Sequence, residues 1–86
     1  MALITTEEAR NWLRLDNSDN DEVINGLITS AEEYITLTTG MSTVEQELSP
    51  LAKTVCKFLL SLWYDPEQAD SDKLQRSIDN LLKALS

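Results

Sequence analysis

The stretch Ser49 to Pro66, SPLAKTVCKFLLSLWYDP, decides the fold, because it predicts a helix whose apolar side chains cover most of its circumference. A surface helix of a small protein normally buries one apolar stripe and exposes the rest. The apolar positions here are Leu51, Ala52, Val55, Cys56, Phe58, Leu59, Leu60, Leu62, Trp63 and Tyr64. The helix is therefore either the central post of the domain or a helix that also faces another subunit. The central position is favoured, because the apolar stripes of the other three predicted helices can absorb most of its apolar excess.

Both ends of this helix are marked in the sequence. Ser49 is a good N-cap, and Pro50 suits the first helical position, where its missing N–H has no intrahelical partner. Pro66 disfavours helical geometry in the residue before it, so the helix should stop near Tyr64. A helix of about fifteen residues is roughly 22 Å long. It is too short, and too interrupted by two lysines, to span a bilayer.

Two helices are predicted before it. Thr5 and Glu8 have the spacing of a capping box, which predicts a short helix that ends near Leu15. The polar run of residues 16–21 predicts a loop, and Asp19 with Glu22 offers a second capping box. Apolar residues then recur at helical spacing up to Gly40, a natural C-terminal stop, which predicts the longest helix of the chain.

A final helix follows the third. Met41 to Leu48 is interpreted as a connector in which Thr43 to Leu48 can form a short helical turn. Residues 66–71 are a second connector, and Asp70 or Ser71 can cap the last helix. The apolar stripe of that helix consists of Leu74, Ile78, Leu81, Leu82 and Leu85. The prediction is an all-α chain, with residues 1–86 forming a single domain of about four helices.

The charge excludes several classes of function. Fifteen acidic and seven basic residues leave a net charge of -8, which repels phosphate backbones and anionic membranes. The imbalance lies mostly in residues 1–40, with eight acids against two arginines. Arg10 and Arg14 are interpreted as a local ion-pairing site. We expect neither sequence-specific DNA binding nor membrane binding, and no leader or apolar span directs the chain out of the cytoplasm.

No catalytic constellation is present in the sequence. The chain has no histidine, and its adjacent acid pairs, at residues 7–8 and 32–33, are interpreted as solvated surface. Asp16 to Glu22 resembles the start of a calcium-binding loop, but Asp21 stands where that loop needs glycine and Leu27 where it needs glutamate. Cys56 is expected to be a buried thiol and Trp12 a core residue. We predict no enzyme activity, no metal and no cofactor.

Several segments together resemble the head-tail connector proteins of tailed phages, also labelled phage DNA-packaging proteins. The segments are TTEEARNWLRLD at residues 5–16, DEVI at 21–24, AEEYI at 31–35, Thr39-Gly40, Pro50-Leu51-Ala52 and LLSLWYD at 59–65. The resemblance covers essentially the whole chain and consists of packing patterns. The end differs, because Leu74 to Ser86 lacks the proline and the closing aromatic and basic residues often found in this family.

The resemblance implies a structural adaptor of the virion head-tail junction, made in the cytoplasm of the bacterial host. It implies a homo-oligomeric ring under the portal protein that extends the DNA channel and docks the tail-completion protein. On this hypothesis the second and last helices pack partly against neighbours, and acidic faces line the channel, where they repel the DNA backbone and let it slide.

Four residues are predicted to lie in a subunit or partner interface: Gly26, Tyr34, Trp63 and Tyr64. Gly26 lies inside the second helix, where it either permits close approach of another helix or is merely tolerated at the surface. An alternative function is a small acidic binding module, such as an antitoxin or a DNA-mimicking inhibitor of a basic protein. A further alternative is a helical enzyme subunit whose partner supplies the catalytic groups.

Overall fold

The computed structural model describes residues 3–64 and 71–85, and within these ranges it contains five helices and no strand. The all-α prediction is confirmed, with four longer helices and one short one. The Cα atoms span 35 × 30 × 17 Å, and the shortest dimension corresponds to about two layers of packed helices. The helices are α1 Thr6–Leu13, α2 Asp21–Thr39, α3 Thr43–Glu47, α4 Pro50–Tyr64 and α5 Ser71–Leu85.

The central post is α4, as its composition predicts. It packs against all four other helices. Both predicted ends are confirmed, since the helix runs from Pro50 to Tyr64 and the Ala52 N–H donates to the Ser49 hydroxyl at 3.2 Å. Its fully buried face consists of Ala52, Val55, Cys56, Leu59 and Leu60. The other apolar side chains of α4 are mostly half-buried, so the four surrounding helices absorb most of its apolar excess.

The Thr5 capping box of α1 is confirmed. The Glu8 N–H donates to the Thr5 hydroxyl at 3.0 Å, and the Thr5 N–H donates to the Glu8 carboxylate at 3.3 Å. The helix ends at Leu13, two residues before the predicted Leu15, because Arg14 takes a left-handed conformation with φ of 59°. Left-handed geometry stops a helix by redirecting the chain while its N–H still bonds to the last turn.

The predicted capping box at the start of α2 is wrong. Asn20, not Asp19, is the N-cap residue, and its side chain makes no capping hydrogen bond. The Asn20 amide donates instead to the Tyr64 hydroxyl at 2.7 Å, so a tertiary contact replaces the local one. The other end agrees with the prediction: α2 stops at Thr39, and Gly40 follows with φ of 78°. At 19 residues, α2 is the longest described helix.

Two polar contacts hold α1 antiparallel to α2. The Thr6 hydroxyl donates to the Asn25 side chain, and the Arg10 guanidinium lies 3.1 Å from the Asp21 carboxylate. The Arg10 and Asp21 atoms form an ion pair without the alignment of a hydrogen bond. Residue numbers rise along α1 where they fall along α2, so the two helices run antiparallel. The ion-pairing interpretation of Arg10 is therefore confirmed.

Glu32 corrects the prediction that its acid pair is solvated surface. Its side chain is half-buried and accepts the Leu3 N–H at 2.6 Å, which fixes the N-terminal segment on α2. Glu33, the next residue, is exposed as predicted. The difference arises because Leu3 and Ile4 pack into the core beside α2, and nothing in local periodicity indicates that contact.

The connector before α4 contains the predicted short helix. Ser42 and Glu45 form a capping box at its start. Gln46, on the inner side of this helix, is fully buried and bonds to α2. In the second connector, Ser71 is the first residue of α5 rather than its cap, while Asp70 and the rest of residues 65–70 lie outside the described residues.

Candidate subunit interface

Two of the four predicted interface residues pack against each other within the chain. The ring centroids of Tyr34 on α2 and Trp63 on α4 lie 6.1 Å apart, with an interplanar angle of 85°. This edge-to-face geometry is favourable for aromatic pairs. Both side chains are half-buried. The pair therefore closes one side of the α2–α4 contact and leaves part of each ring at the surface, where a partner has access to it.

The other two predicted residues lie elsewhere. Tyr64 is half-buried, and its hydroxyl accepts the Asn20 amide, which fastens the end of α4 to the start of α2. Gly26 is exposed, and a Cβ atom built on it meets nothing within 4 Å. No helix of the described chain approaches Gly26. Close approach by a second chain at this position stays a prediction.

The prediction that Trp12 is a core residue is wrong. Trp12 is 40% exposed, and it lies over the outer side of α4. Its indole N–H donates to the Ser61 hydroxyl at 2.7 Å, its ring lies 6.1 Å from that of Phe58, and the Lys57 ammonium lies 5.8 Å from its centroid. The short helix α1 lies at the edge of the fold, so an apolar position on it is only half covered.

An apolar surface that the sequence does not predict lies at the junction of α2 and α3. Leu37 is 85% exposed, Val44 64% and Leu48 81%. Val44 and Leu48 are four residues apart on the side of α3 opposite the buried Gln46. Leu37 lines a groove with Thr43, the residue before Val44. Leu37 does not continue the spacing of the buried residues of α2, the last of which are Ala31 and Ile35. This departure from the spacing could have indicated that Leu37 is exposed.

Charge is divided between the helices. Helix α2 carries four carboxylates and no basic residue. The described parts of α4 and α5 carry five basic residues, Lys53, Lys57, Lys73, Arg76 and Lys83, against two acidic ones, Asp72 and Asp79. One chain thus presents an acidic helix and a basic pair of helices. Identical copies have complementary charge when unlike sides meet.

The described residues offer no reactive site. Within residues 3–64 and 71–85, no three histidine, cysteine or carboxylate side chains are grouped so that they can hold a metal ion. Cys56 is buried as predicted, and burial raises the pKa of its thiol to about 12, with the Glu32 charge contributing in the same direction. A thiol with so high a pKa is neutral and a poor nucleophile at physiological pH. None of the described helices meets the length and apolarity that a membrane crossing requires.

The fold and its surface define a small helical protein whose prominent features are apolar and charged contact surfaces. Comparison with known protein families shows that residues 3–85 match the phage gp6-like head-tail connector proteins. The chain therefore belongs to the phage gp6-like head-tail connector family. No curated protein and no solved structure shows significant similarity to it. The family is structural and not enzymatic, so the prediction of no enzyme activity is confirmed.

Proposed function

We propose that the protein assembles as a ring under the phage portal, extends the DNA channel and docks the tail-completion protein. The observation that carries this proposal is the family match over residues 3–85. Membership in the family makes the protein a structural connector between head and tail components. Deletion of the gene and reconstitution with the portal test the ring and its contacts.

The exposed apolar residues support a role in assembly. Leu37, Val44 and Leu48 are each more than half exposed, and Leu51 is 43% exposed at the start of α4. Exposing large apolar side chains close together costs free energy that burial in an interface recovers, at about 25 cal/mol per Å². We assign Val44, Leu48 and Leu51 to contact with the portal or the tail-completion protein.

The predicted interface residues have separate roles in this proposal. Gly26 lies on the open face of α2, and we assign it to the contact with a neighbouring subunit. The Tyr34–Trp63 pair and Tyr64 are already engaged within the chain, so they contribute only their exposed edges to an interface.

Helix α1 and the loop that follows it, residues 14–20, are proposed to face the DNA. Glu7, Glu8, Asp16 and Asp19 are all exposed. Negative charge around a channel weakens attraction to the phosphate backbone, which lets DNA slide through without arrest. A ring structure with a basic lumen would contradict this part of the proposal.

Removal of the gene from the encoding phage tests the function. We expect DNA-filled heads and separate tails to accumulate, because a connector is needed only where the two join. Supplying the wild-type protein in trans should restore joined particles. Joined, infectious particles without the protein would refute the connector role and favour the alternative of an acidic module that binds a basic protein.

A second measurement separates the two functions in vitro. Purified protein mixed with its portal should form a ring that is visible by negative-stain electron microscopy and has a matching mass by light scattering. A persistent one-to-one complex with a basic protein, and no association with the portal, is the result expected of the acidic binding module.

A further inference from the structure

The outer face of α2 carries a continuous stripe that no part of the described chain covers. Its members occur every three or four residues and fall within about 80° of the helix circumference. They are all exposed: Val23, Gly26, Ser30, Glu33 and Leu37. The buried residues of α2, Ile24, Ile28, Ala31 and Ile35, lie on the opposite side. The stripe is about 21 Å long from its first residue to its last.

The shape of the stripe allows another helix to pack on it. Large apolar side chains stand at its two ends, with Val23 57% and Leu37 85% exposed. Its centre is formed by Gly26 and Ser30, and a Cβ on Gly26 would meet only open space. Small side chains at a helix crossing allow interaxial distances at the short end of the range of about 8–10 Å. Glu33 adds a carboxylate beside this centre.

The outer face of α5 carries a stripe with the same spacing and the opposite charge. It consists of Lys73, Arg76, Asn80 and Lys83, all exposed. The buried residues of α5, Ile78 and Leu82, point the other way. The long aliphatic stems of lysine and arginine can cover apolar surface while their charged ends stay in water. This face therefore suits an acidic stripe with apolar ends.

We propose that the α2 stripe of one copy receives the α5 stripe of the next copy, in a head-to-tail contact between identical chains. Charge complementarity selects this occupant. Pairing of two α2 stripes would bring the Glu33 carboxylates of two copies together on helices that carry no basic residue, which is unfavourable. Because the two stripes are different surfaces, each chain contacts one neighbour through its α2 stripe and another through its α5 stripe. Such heterologous contacts form a ring when the rotation between successive subunits closes on itself. This inference rests on the proposed ring function and assigns its subunit contact.

Cysteine cross-linking tests the contact with the full-length protein. Ser30 and Asn80 lie mid-stripe and are exposed, so Ser30→Cys and Asn80→Cys should leave the fold intact. The native Cys56 is buried, and its raised pKa, about 12, keeps it from reacting. A short bismaleimide applied to the double variant should produce a ladder of dimers, trimers and higher species, since every chain carries both halves of the contact.

The single variants are the matched controls. Each alone should give no cross-linked product, and an equal mixture of the two should give dimers and nothing larger. Dimers from Ser30→Cys alone would show that α2 pairs with α2 and would overturn the proposal. A double variant that stays monomeric, with a circular dichroism spectrum like that of the wild type, would overturn it as well.

The outcomes distinguish this contact from the connector function. If the gene-deletion phage joins heads to tails normally while the ladder forms, the connector role fails and the head-to-tail contact stands. If heads and tails stay separate and the portal recruits the protein, but the ladder is absent, the function stands and the assigned contact is wrong.

Discussion

Substitution of Gln46 tests the polar contact that fixes α3 on α2. The side chain is fully buried, and its Nε2 donates to the Thr36 hydroxyl at 2.8 Å, the Met41 carbonyl at 3.1 Å and the Glu32 carbonyl at 3.3 Å. An amide nitrogen has two hydrogens, so the longest contact shares one of them. Two of the acceptors lie on α2, and the third lies in the connector between α2 and α3.

The expected losses of unfolding free energy follow from the contacts that each variant removes. Gln46→Met keeps the volume and removes both donors, which costs about 2 kcal/mol at about 1 kcal/mol per hydrogen bond. Part of this is recovered, because Oε1 of Gln46 has no hydrogen-bond partner and its removal ends a desolvation cost of about 1 kcal/mol. The net loss should be about 1–2 kcal/mol. Gln46→Ala adds a cavity and should cost about 2–4 kcal/mol.

Gln46→Glu adds a dependence on pH. An ionised carboxylate would place an oxygen against three acceptors in a buried site, so its pKa in the folded state should rise above the unfolded value of about 4.3. When protonated, the carboxyl can still donate one hydrogen bond. The penalty for ionisation is therefore absent below the unfolded pKa and grows as the pH rises, so the free energy of unfolding of Gln46→Glu should fall relative to that of Gln46→Met from about pH 4 to about pH 7.

Urea unfolding followed by far-UV circular dichroism measures these differences, with unchanged m-values as the sign that only native stability has changed. Gln46→Met is the control for volume, and its own pH profile corrects for the many other carboxylates. Equal stability of Gln46→Met and the wild type, or a difference in unfolding free energy between the Glu and Met variants that does not change with pH, would contradict this prediction.

Three further predictions concern reactivity, backbone and assembly. Cys56 should resist aromatic disulfide reagents at about pH 8 in the folded protein and react with them in urea. Because the pKa of its thiol is raised in the folded protein, the neutral thiol contributes stability that is lost only as the pH rises from about 9 towards 12. Gly40→Ala should lower the free energy of unfolding by about 1 kcal/mol, since φ is 78°, whereas Gly26→Ala should raise it by up to about 1 kcal/mol; equal effects in urea titrations would contradict this. Glu33→Lys and Arg76→Glu should each weaken self-association in sedimentation, and the mixture of a Glu33→Lys chain with an Arg76→Glu chain should recover it in part; unchanged sedimentation of both single variants would contradict the stripe contact.

Local signals predicted the helices well. The ends of α4 and the start of α1 agree with expectation, because Ser49, Pro50, Thr5 and Glu8 act on backbone groups within one turn of themselves. The apolar, inward-facing positions of α5 were also predicted, since apolar periodicity is a property of a single segment. The misplaced cap of α2 marks the limit, because Asn20 uses its side chain on Tyr64, far away in the sequence.

The candidate interface was predicted less well. Tyr34 and Trp63 were named separately, and only the folded chain shows that their rings pack on each other. The exposure of Leu37 and Leu48 is not predictable from the sequence, because an apolar residue is expected in the core until the positions of the surrounding helices are known. Trp12 was assigned to the core for the same reason.

By itself the sequence determined the all-α class, the boundaries of α4, the central position of that helix and, through its resemblance, the connector family. These follow from capping, periodicity and composition, which act locally or along the whole chain. Only the tertiary structure decided which side chains are buried at the edges of the fold, that Glu32 holds the N-terminal segment, and that α2 and α5 present opposite charges on exposed faces. Burial and charge complementarity depend on which helices meet, and that is a property of the packed chain.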